Sequence, residues 1–244
     1  MKPYYENDLT TIYNGDCLDV MDYLIEQGVK VDLIMTDPPY LIENTNPGGN
    51  CDFANSLKGV NKELDEGTLT EGIDNSYLER MVKLQDKINI YIWCNHKQIT
   101  QYLDFFVKKH NCKFDIIIWN KTNSPPTFNN KYLTDKEYCF YFRKGGYCNP
   151  NSYNSAKTVY NIPINIKDKR KYGHPTIKPL SIITNLILNS TKENHIVLDC
   201  FAGSFTTSYA CEQLNRNNIG IELEKKYCDI GVERLSKLQL RLDI

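Results

Sequence analysis

Asp37-Pro38-Pro39-Tyr40 sets a carboxylate, two prolines and an aromatic ring in consecutive positions, directly after the apolar run Val-Asp-Leu-Ile-Met-Thr. That run reads as a buried strand, so the tetrapeptide falls at a strand's carboxyl edge, where open α/β sheets bind ligands. Two prolines fix φ and remove two amide donors, so the turn cannot continue the strand and the Pro38 carbonyl is left rigid, with no neighbouring strand to pair it. A rigid carbonyl beside a carboxylate can hold an amino group. A base flipped out of its stack would give its two NH2 hydrogens to Asp37 and the Pro38 carbonyl while lying on the Tyr40 ring. Its nitrogen lone pair would then turn toward an electrophile. Pro-Pro turns also follow strands with no chemistry attached, so these four residues alone decide nothing.

A second cluster lies near the other end of the chain. Asp199-Cys200-Phe201-Ala202-Gly203-Ser204 follows His-Ile-Val-Leu and precedes a helical pattern from Phe205. Gly203 lets a ligand approach the backbone closely, and the helix N-terminus behind it favours a carboxylate such as that of a bound amino acid. Eighteen residues beyond Ser204, after another apolar strand, comes Glu222. An acid at that point is placed to accept from ribose hydroxyls.

These residues together resemble the amino-methyltransferases of DNA. Asp37-Pro38-Pro39-Tyr40 is similar to their catalytic tetrapeptide, and Asp199 to Thr207 to their cofactor turn, usually Asp-Pro-Phe-x-Gly-Ser-Gly-Thr-Thr. His174-Pro175-Thr176-Ile177-Lys178-Pro179-Leu180 resembles the family's His-Pro-Thr-x-Lys-Pro segment, Gly15-Asp16-Cys17 its Gly-Asp segment, and 218–223 its Gly-Ile-Glu strand. The catalytic motif precedes the cofactor motif, the β-class order. The resemblance implies a Rossmann-like fold, a mostly parallel seven-stranded sheet with helices on both faces. It also implies S-adenosylmethionine as methyl donor. Asp16 and Cys17 would meet its adenine, and Glu222 its ribose. Asp37, His174, Thr176, Lys178, Pro179, Asp199, Phe201, Ala202, Gly203, Ser204, Thr206 and Thr207 would surround the rest. The implied partners are double-stranded DNA, a second copy of the chain and a cognate restriction endonuclease. Two positions depart from the pattern: Cys200 stands where the family has Pro, and Phe205 where it has its second Gly.

Direct transfer from a sulfonium needs no covalent nucleophile, only an amine held in line. Methylation at carbon 5 of cytosine would need a Pro-Cys nucleophile, and the chain contains no such dipeptide. Adenine N6 is favoured over cytosine N4 because cytosine-directed members more often begin the tetrapeptide with Ser. An RNA methyltransferase or a protein-Gln methyltransferase is a further alternative, the latter usually beginning with Asn. A module that binds cofactor and DNA without turnover is the alternative from another class, and Phe205 and the near-neutral charge favour it.

Such a site needs several strand ends on one rim. Short β-branched runs alternate with longer amphipathic segments, the pattern of an α/β chain built from βα units. Strands are predicted over 31–35, 88–93, 114–119, 138–142, 196–198 and 218–221, and helices over 18–27, 77–83, 98–110, 181–189, 206–214 and 226–242. At 244 residues one domain, 1–244, is the expectation. Residues 42–74 read as an insertion of the kind that forms lids or substrate loops. Residues 145–173 are the candidate target-recognition segment. They carry Lys157, Lys167, Lys169, Arg170 and Lys171 against Asp168, a cluster that serves equally as a solvated loop or a DNA-contacting face. Lys121, after strand 114–119, would lie on the same rim, as either a surface residue or a DNA contact, beside Ser124-Pro125-Pro126.

Composition narrows the rest. Apolar residues at 41% and charged residues at 24% describe an ordinary globular chain, and a net charge of −1 means that nucleic-acid binding must be local. Nine Cys without a Cys-x-x-Cys pair fit neither a disulfide framework nor a zinc site, and point to a reduced cytoplasm. His96, His110, His174 and His195 show no metal spacing, so no metal is expected. No apolar run approaches the length of a membrane span.

Overall fold

The computed structural model describes residues 1–42, 71–126, 132–172 and 177–242. Most of the 42–74 insertion, with His174 and Thr176, lies outside the described residues. Nine strands among those described form one sheet: β1 (Tyr5–Glu6), β2 (Thr10–Asn14), β3 (Leu33–Thr36), β4 (Ile88–Cys94), β5 (Lys113–Asn120), β6 (Lys136–Lys144), β7 (Val159–Asn161), β8 (Ile196–Asp199) and β9 (Asn217–Glu222), in the order β1-β2-β9-β8-β3-β4-β6-β5-β7. Five neighbours, β2, β9, β8, β3 and β4, run parallel. β6 is antiparallel to both β4 and β5, so β5 points the same way as β4.

The six predicted strands all have counterparts, but the sheet is wider than the seven strands expected. β1 has two residues and β7 three, too short for an alternation to register. Polar Thr10, Thr11 and Asn14 dilute β2. The helices are α1 (Cys17–Glu26), α2 (Asn75–Lys83), α3 (Ile99–Tyr102, continuing as a π-helix over Leu103–Lys109), α4 (Ile166–Tyr172), α5 (Leu180–Ser190), α6 (Thr206–Gln213) and α7 (Lys225–Leu242). α4 falls inside the candidate target-recognition segment, where a loop was expected. Its sequence, Ile-Lys-Asp-Lys-Arg-Lys-Tyr, offers no apolar stripe beyond its two ends.

Period-two alternation sends the central strands' side chains to two separate layers. Ile34, Ile90, Ile92, Phe140 and Phe142 pack with Val20, Met21 and Leu24 of α1, Leu78 and Met81 of α2, and Phe105 and Phe106 of α3. Leu33, Met35, Tyr91, Trp93 and Tyr141 face the other way, against Ile182, Ile183, Leu186 and Ile187 of α5 and Ala210 and Cys211 of α6. From β3 the chain proceeds outward to β4, and from β8 it proceeds in the opposite direction to β9. The gap between β3 and β8 is therefore the topological switch point, where a crevice opens beyond the strand ends.

Phe205, the residue in place of a family glycine, adopts a left-handed backbone (φ 57°, ψ 38°) ahead of α6. A non-glycine residue there is strained by roughly 1–2 kcal/mol. Full burial of the ring offsets that strain: Phe205 is 0% exposed and packs into a third cluster with Ile12, Ala202, Cys228 and Leu235. Two glycines form the ring's socket. A Cβ added at Gly220 of β9 would lie 2.8 Å from the ring, and one at Gly231 of α7 only 2.3 Å from it. Alanine is ordinarily the better helix residue by about 1 kcal/mol, yet Gly231→Ala is expected to destabilise the fold by roughly 1–3 kcal/mol through overpacking. Urea denaturation checks this, and an unchanged or higher midpoint would show that the socket can yield.

Candidate active site

A cleft of about 490 Å³ opens at the switch point, within the size range of small-molecule sites. Most of the residues singled out from sequence line it. Asp16 and Cys17 come from the start of α1, Asp37 and Pro39 from the turn after β3, and Lys178 from the approach to α5. Asp199 ends β8, Phe201, Ala202, Gly203 and Ser204 come from the turn after it, Thr206 and Thr207 open α6, and Glu222 ends β9. Pro38 is buried within the turn, Tyr40 packs behind it against Lys178, and Pro179, at the start of α5, does not reach the cleft.

On the β8–β9 side, Gly203 takes a positive φ of 50° and its amide donates to Glu222 Oε2 at 2.8 Å. The Glu224 amide donates to Oε1 of the same carboxylate at 2.8 Å, so Glu222 is clamped by backbone at both oxygens. Asp16 caps α1 by accepting from the Leu18 amide at 2.8 Å. From below, Arg234 of α7 donates to the Ser204 carbonyl at 2.9 Å and to Thr206 Oγ1 at 3.1 Å, its guanidinium held between the rings of Tyr172 and Tyr209. No sequence motif announced Arg234; only the fold brings it under the turn.

On the β3 side, the Asp37 carboxylate is 22% exposed and accepts a charged hydrogen bond from Lys178 through Oδ2. Its Oδ1 is buried with no hydrogen-bond partner among the described residues. Lys178 is 7% exposed and shared: its Nζ also lies 3.1 Å from Glu137 Oε2. The ammonium sits 5.3 Å from the centre of the Tyr40 ring and 5.2 Å from that of Trp93. Glu137, the second residue of β6, in turn holds Lys121 at 2.6 Å and accepts from the Tyr40 hydroxyl at 3.3 Å. Gln98 donates to the Pro39 carbonyl at 3.0 Å, which pins the turn itself.

The four charges balance, but unevenly. Burial would push Glu137 up, and the two lysines more than reverse this, holding it down to about 2. Burial would discharge Lys178, and the two carboxylates keep it cationic with a raised pKa. Asp37 is pushed up by burial, only partly countered by Lys178 and by the Tyr40 hydroxyl that lies near both carboxylates, with Glu137 adding to the rise. Asp37 is thus the least compensated member of the cluster.

Two of the expected roles meet a different geometry. Lys178, expected beside the cofactor, lines the cleft and has its ammonium tied to Asp37 and Glu137. Lys121, a candidate DNA contact, is 13% exposed and directs its charge to Glu137 inside the pocket. Both placements have one cause: a buried carboxylate is tolerated only when opposite charges are drawn to it. Glu137 itself escaped the sequence reading because it sits in Lys-Glu-Tyr, an unremarkable strand start. Lys167 and Lys171 lie exposed on α4, which carries Lys169 and Arg170 as well.

Asp199 yields a pH prediction. Burial pushes its carboxyl up to about 7, against lowering hydrogen bonds from Thr207 and the Phe201 amide. A carboxyl whose folded pKa is raised binds its proton more tightly in the folded state. Its contribution to stability is therefore full at acid pH and is lost between the ordinary carboxylate range and about pH 7. Asp199→Asn removes that loss, so the variant should exceed the wild type in melting temperature at pH 8 by a few degrees, about 1 kcal/mol or more, and show little gain at pH 4. Equal destabilisation at both pH values in a thermal melt would contradict the assignment.

A model of the DNA methylase family matches residues 31–233. Type II methyltransferase M2.MboI of Moraxella bovis is 33% identical over 98% of this chain and 92% of its own length. Type II methyltransferase M.HinfI of Haemophilus influenzae is 29% identical over 98% of this chain and 72% of its own. Among solved structures, the M1.HpyAVI-SAM complex matches with a TM-score of 0.68 at 27% identity, over 93% of this chain and 100% of that one. PvuII DNA methyltransferase, cytosine-N4-specific, shares the fold with a TM-score of 0.66 at 16% identity, over 96% and 88% of the two chains. The family match runs from the strand ahead of Asp37 through both sides of the cleft into the last helix, and the chain belongs to the N6/N4 DNA methylase family.

Proposed function

We propose that this chain methylates N6 of adenine in double-stranded DNA, with S-adenosylmethionine as the donor. One observation carries the reading: Asp37 Oδ1 is a buried acceptor with no hydrogen-bond partner among the described residues, at the switch point and in the same cleft as the Gly203–Glu222 clamp. An unsatisfied buried acceptor is costly, and a ligand that donates to it recovers the loss.

The donor suits the residues present. Glu222 is aimed and immobilised for hydroxyl donors, Asp16 caps its helix through Oδ1 and keeps Oδ2 for an amine, and Gly203 opens the backbone. Bound there, the donor supplies a sulfonium methyl that an amine can take in line. The chain's own part is to position the amine. Asp37 accepts one hydrogen of the NH2, the Pro38 carbonyl is expected to accept the other, and Tyr40 offers its ring to the base. Adenine is preferred to cytosine because Asp, rather than Ser, opens the tetrapeptide. The type II relatives support reading the activity as the modification half of a restriction-modification pair, with an endonuclease and a second subunit as partners to be sought.

Sequencing with modification detection, on genomic DNA from a host expressing the chain, tests the proposal. N6-methyladenine at a fixed sequence supports it, N4-methylcytosine replaces it with the sister activity, and no modification favours binding without turnover. Asp37→Ala should abolish methyl transfer and leave donor affinity within about tenfold, whereas Glu222→Ala should weaken donor binding by roughly 1–3 kcal/mol. Tritiated-methyl incorporation beside calorimetric titration separates the two, and wild-type turnover in the Asp37 variant refutes the site.

The cations of α4 are assigned to the DNA face, since a chain with a net charge of −1 must bind phosphates locally. Replacing Lys167, Lys169, Arg170 and Lys171 with Ala should lower the slope of log affinity against log salt by up to about 0.9 per lost phosphate contact. An unchanged slope would show that α4 faces solvent in the complex.

A further inference from the structure

Glu137 is the one member of the buried cluster that touches all the others except Asp37. It accepts from Lys178, Lys121 and Tyr40, and it reaches the pocket from β6, two strands away from the catalytic turn. A lysine ammonium is a compact point charge, so how it divides itself between carboxylates follows from where their charges lie. Here Lys178 is drawn toward a second carboxylate, so it engages Asp37 through Oδ2 and leaves Oδ1 without a hydrogen-bond partner among the described residues. Lys121 completes the arrangement by neutralising the Glu137 charge that Lys178 does not.

We propose that Glu137 is a positioning residue for methyl transfer: by pulling Lys178 off centre and anchoring the Tyr40 hydroxyl, it leaves Asp37 with one free, under-compensated oxygen for the target amine. The proposal rests on the reading of Asp37 as the amine acceptor. Its logic is electrostatic. The hydrogen bond from a base NH2 to a carboxylate strengthens as the carboxylate's charge is less satisfied by other partners. A lysine given wholly to Asp37 would weaken that bond, and no lysine at all would let the buried carboxyl take up a proton.

The two variants Glu137→Gln and Lys178→Met therefore move the system in opposite directions. Removing the Glu137 charge frees Lys178 for Asp37, so the pH at which kcat falls off on the acid side should shift down, with kcat itself lower by on the order of tenfold to a hundredfold. Removing Lys178 leaves Asp37 beside Glu137 alone, so the same fall-off should shift up, with activity weak near neutrality and recovering at alkaline pH. The other groups facing Asp37 do not imitate this. Cys94 from β4 is pushed up to about 12, Cys139 from β6 and Tyr102 from α3 lie higher still than their ordinary values, and Tyr40 is raised as well, so all stay neutral over the working range. Asp199, from β8, is the exception: its carboxyl is pushed up to about 7 and is coupled by charge to Asp37, so the profiles are also compared in an Asp199→Asn background, where the opposed shifts persist if they belong to Asp37.

The experiment is kcat against pH, at saturating donor and DNA, for wild type, Glu137→Gln and Lys178→Met, with donor affinity measured on each. Opposed shifts and unchanged donor affinity support the proposal. Fall-offs that coincide with wild type overturn it, as does a loss of donor affinity in Lys178→Met, which would return Lys178 to the cofactor. If Lys178→Met fails to fold, the near-isosteric Glu137→Gln carries the test alone through the direction of its shift. Asp37→Ala separates this from the wider reading: an inactive Asp37 variant with unmoved profiles in the others refutes the role of Glu137 only, whereas an active one refutes the acceptor itself.

Discussion

Lys178 lies between two carboxylates that come from different parts of the sheet, and much of the pocket follows from that sharing. Taking ions out of water is costly unless each finds partners of opposite charge. Asp37 from the turn after β3, Glu137 from β6, Lys121 from beyond β5 and Lys178 ahead of α5 meet that condition only together. The strand ends on this rim can sit so close because β5 runs parallel to β4 while β6 runs back between them, delivering the first residues of β6 beside the last residues of its neighbours. Loss of any one charge would leave another buried without compensation.

The opposite wall of the cleft is held by different means. Around the turn after β8, backbone amides clamp Glu222, and an arginine stacked between two tyrosines holds the turn from below. The same turn carries the Phe205 strain, tolerated because Gly220 and Gly231 make room for the ring. Charge thus shapes the wall assigned to the base, and backbone geometry the wall assigned to the donor. The division has a physical basis, since an amine is held by acceptor strength and a large ligand by a preformed surface.

Arg234 also links this wall to α4. Tyr172, the last residue of α4, lies against the guanidinium that holds Ser204 and Thr206. The segment assigned to DNA and the turn assigned to the donor therefore share one side chain. That continuity is legible only in three dimensions, since Tyr172 and Arg234 stand 62 positions apart (234 minus 172) in the chain.

The sequence by itself determined the fold class, the strand ends that carry chemistry and the identity of the family, because these depend on local patterns. An apolar run followed by Asp-Pro-Pro-Tyr, or by a glycine turn and a helix, has the same meaning wherever the rest of the chain goes. It also located the two departures, Cys200 and Phe205, though not how Phe205 is accommodated, since its socket is built from Gly220 and Gly231 on other elements. The roles of Lys178, Lys121, Glu137 and Arg234 were decided by tertiary structure. A charged side chain has no intrinsic partner; its role is set by which opposite charge shares its low-dielectric surroundings, and only the packing of β5, β6 and α5 against the catalytic turn brings those charges together.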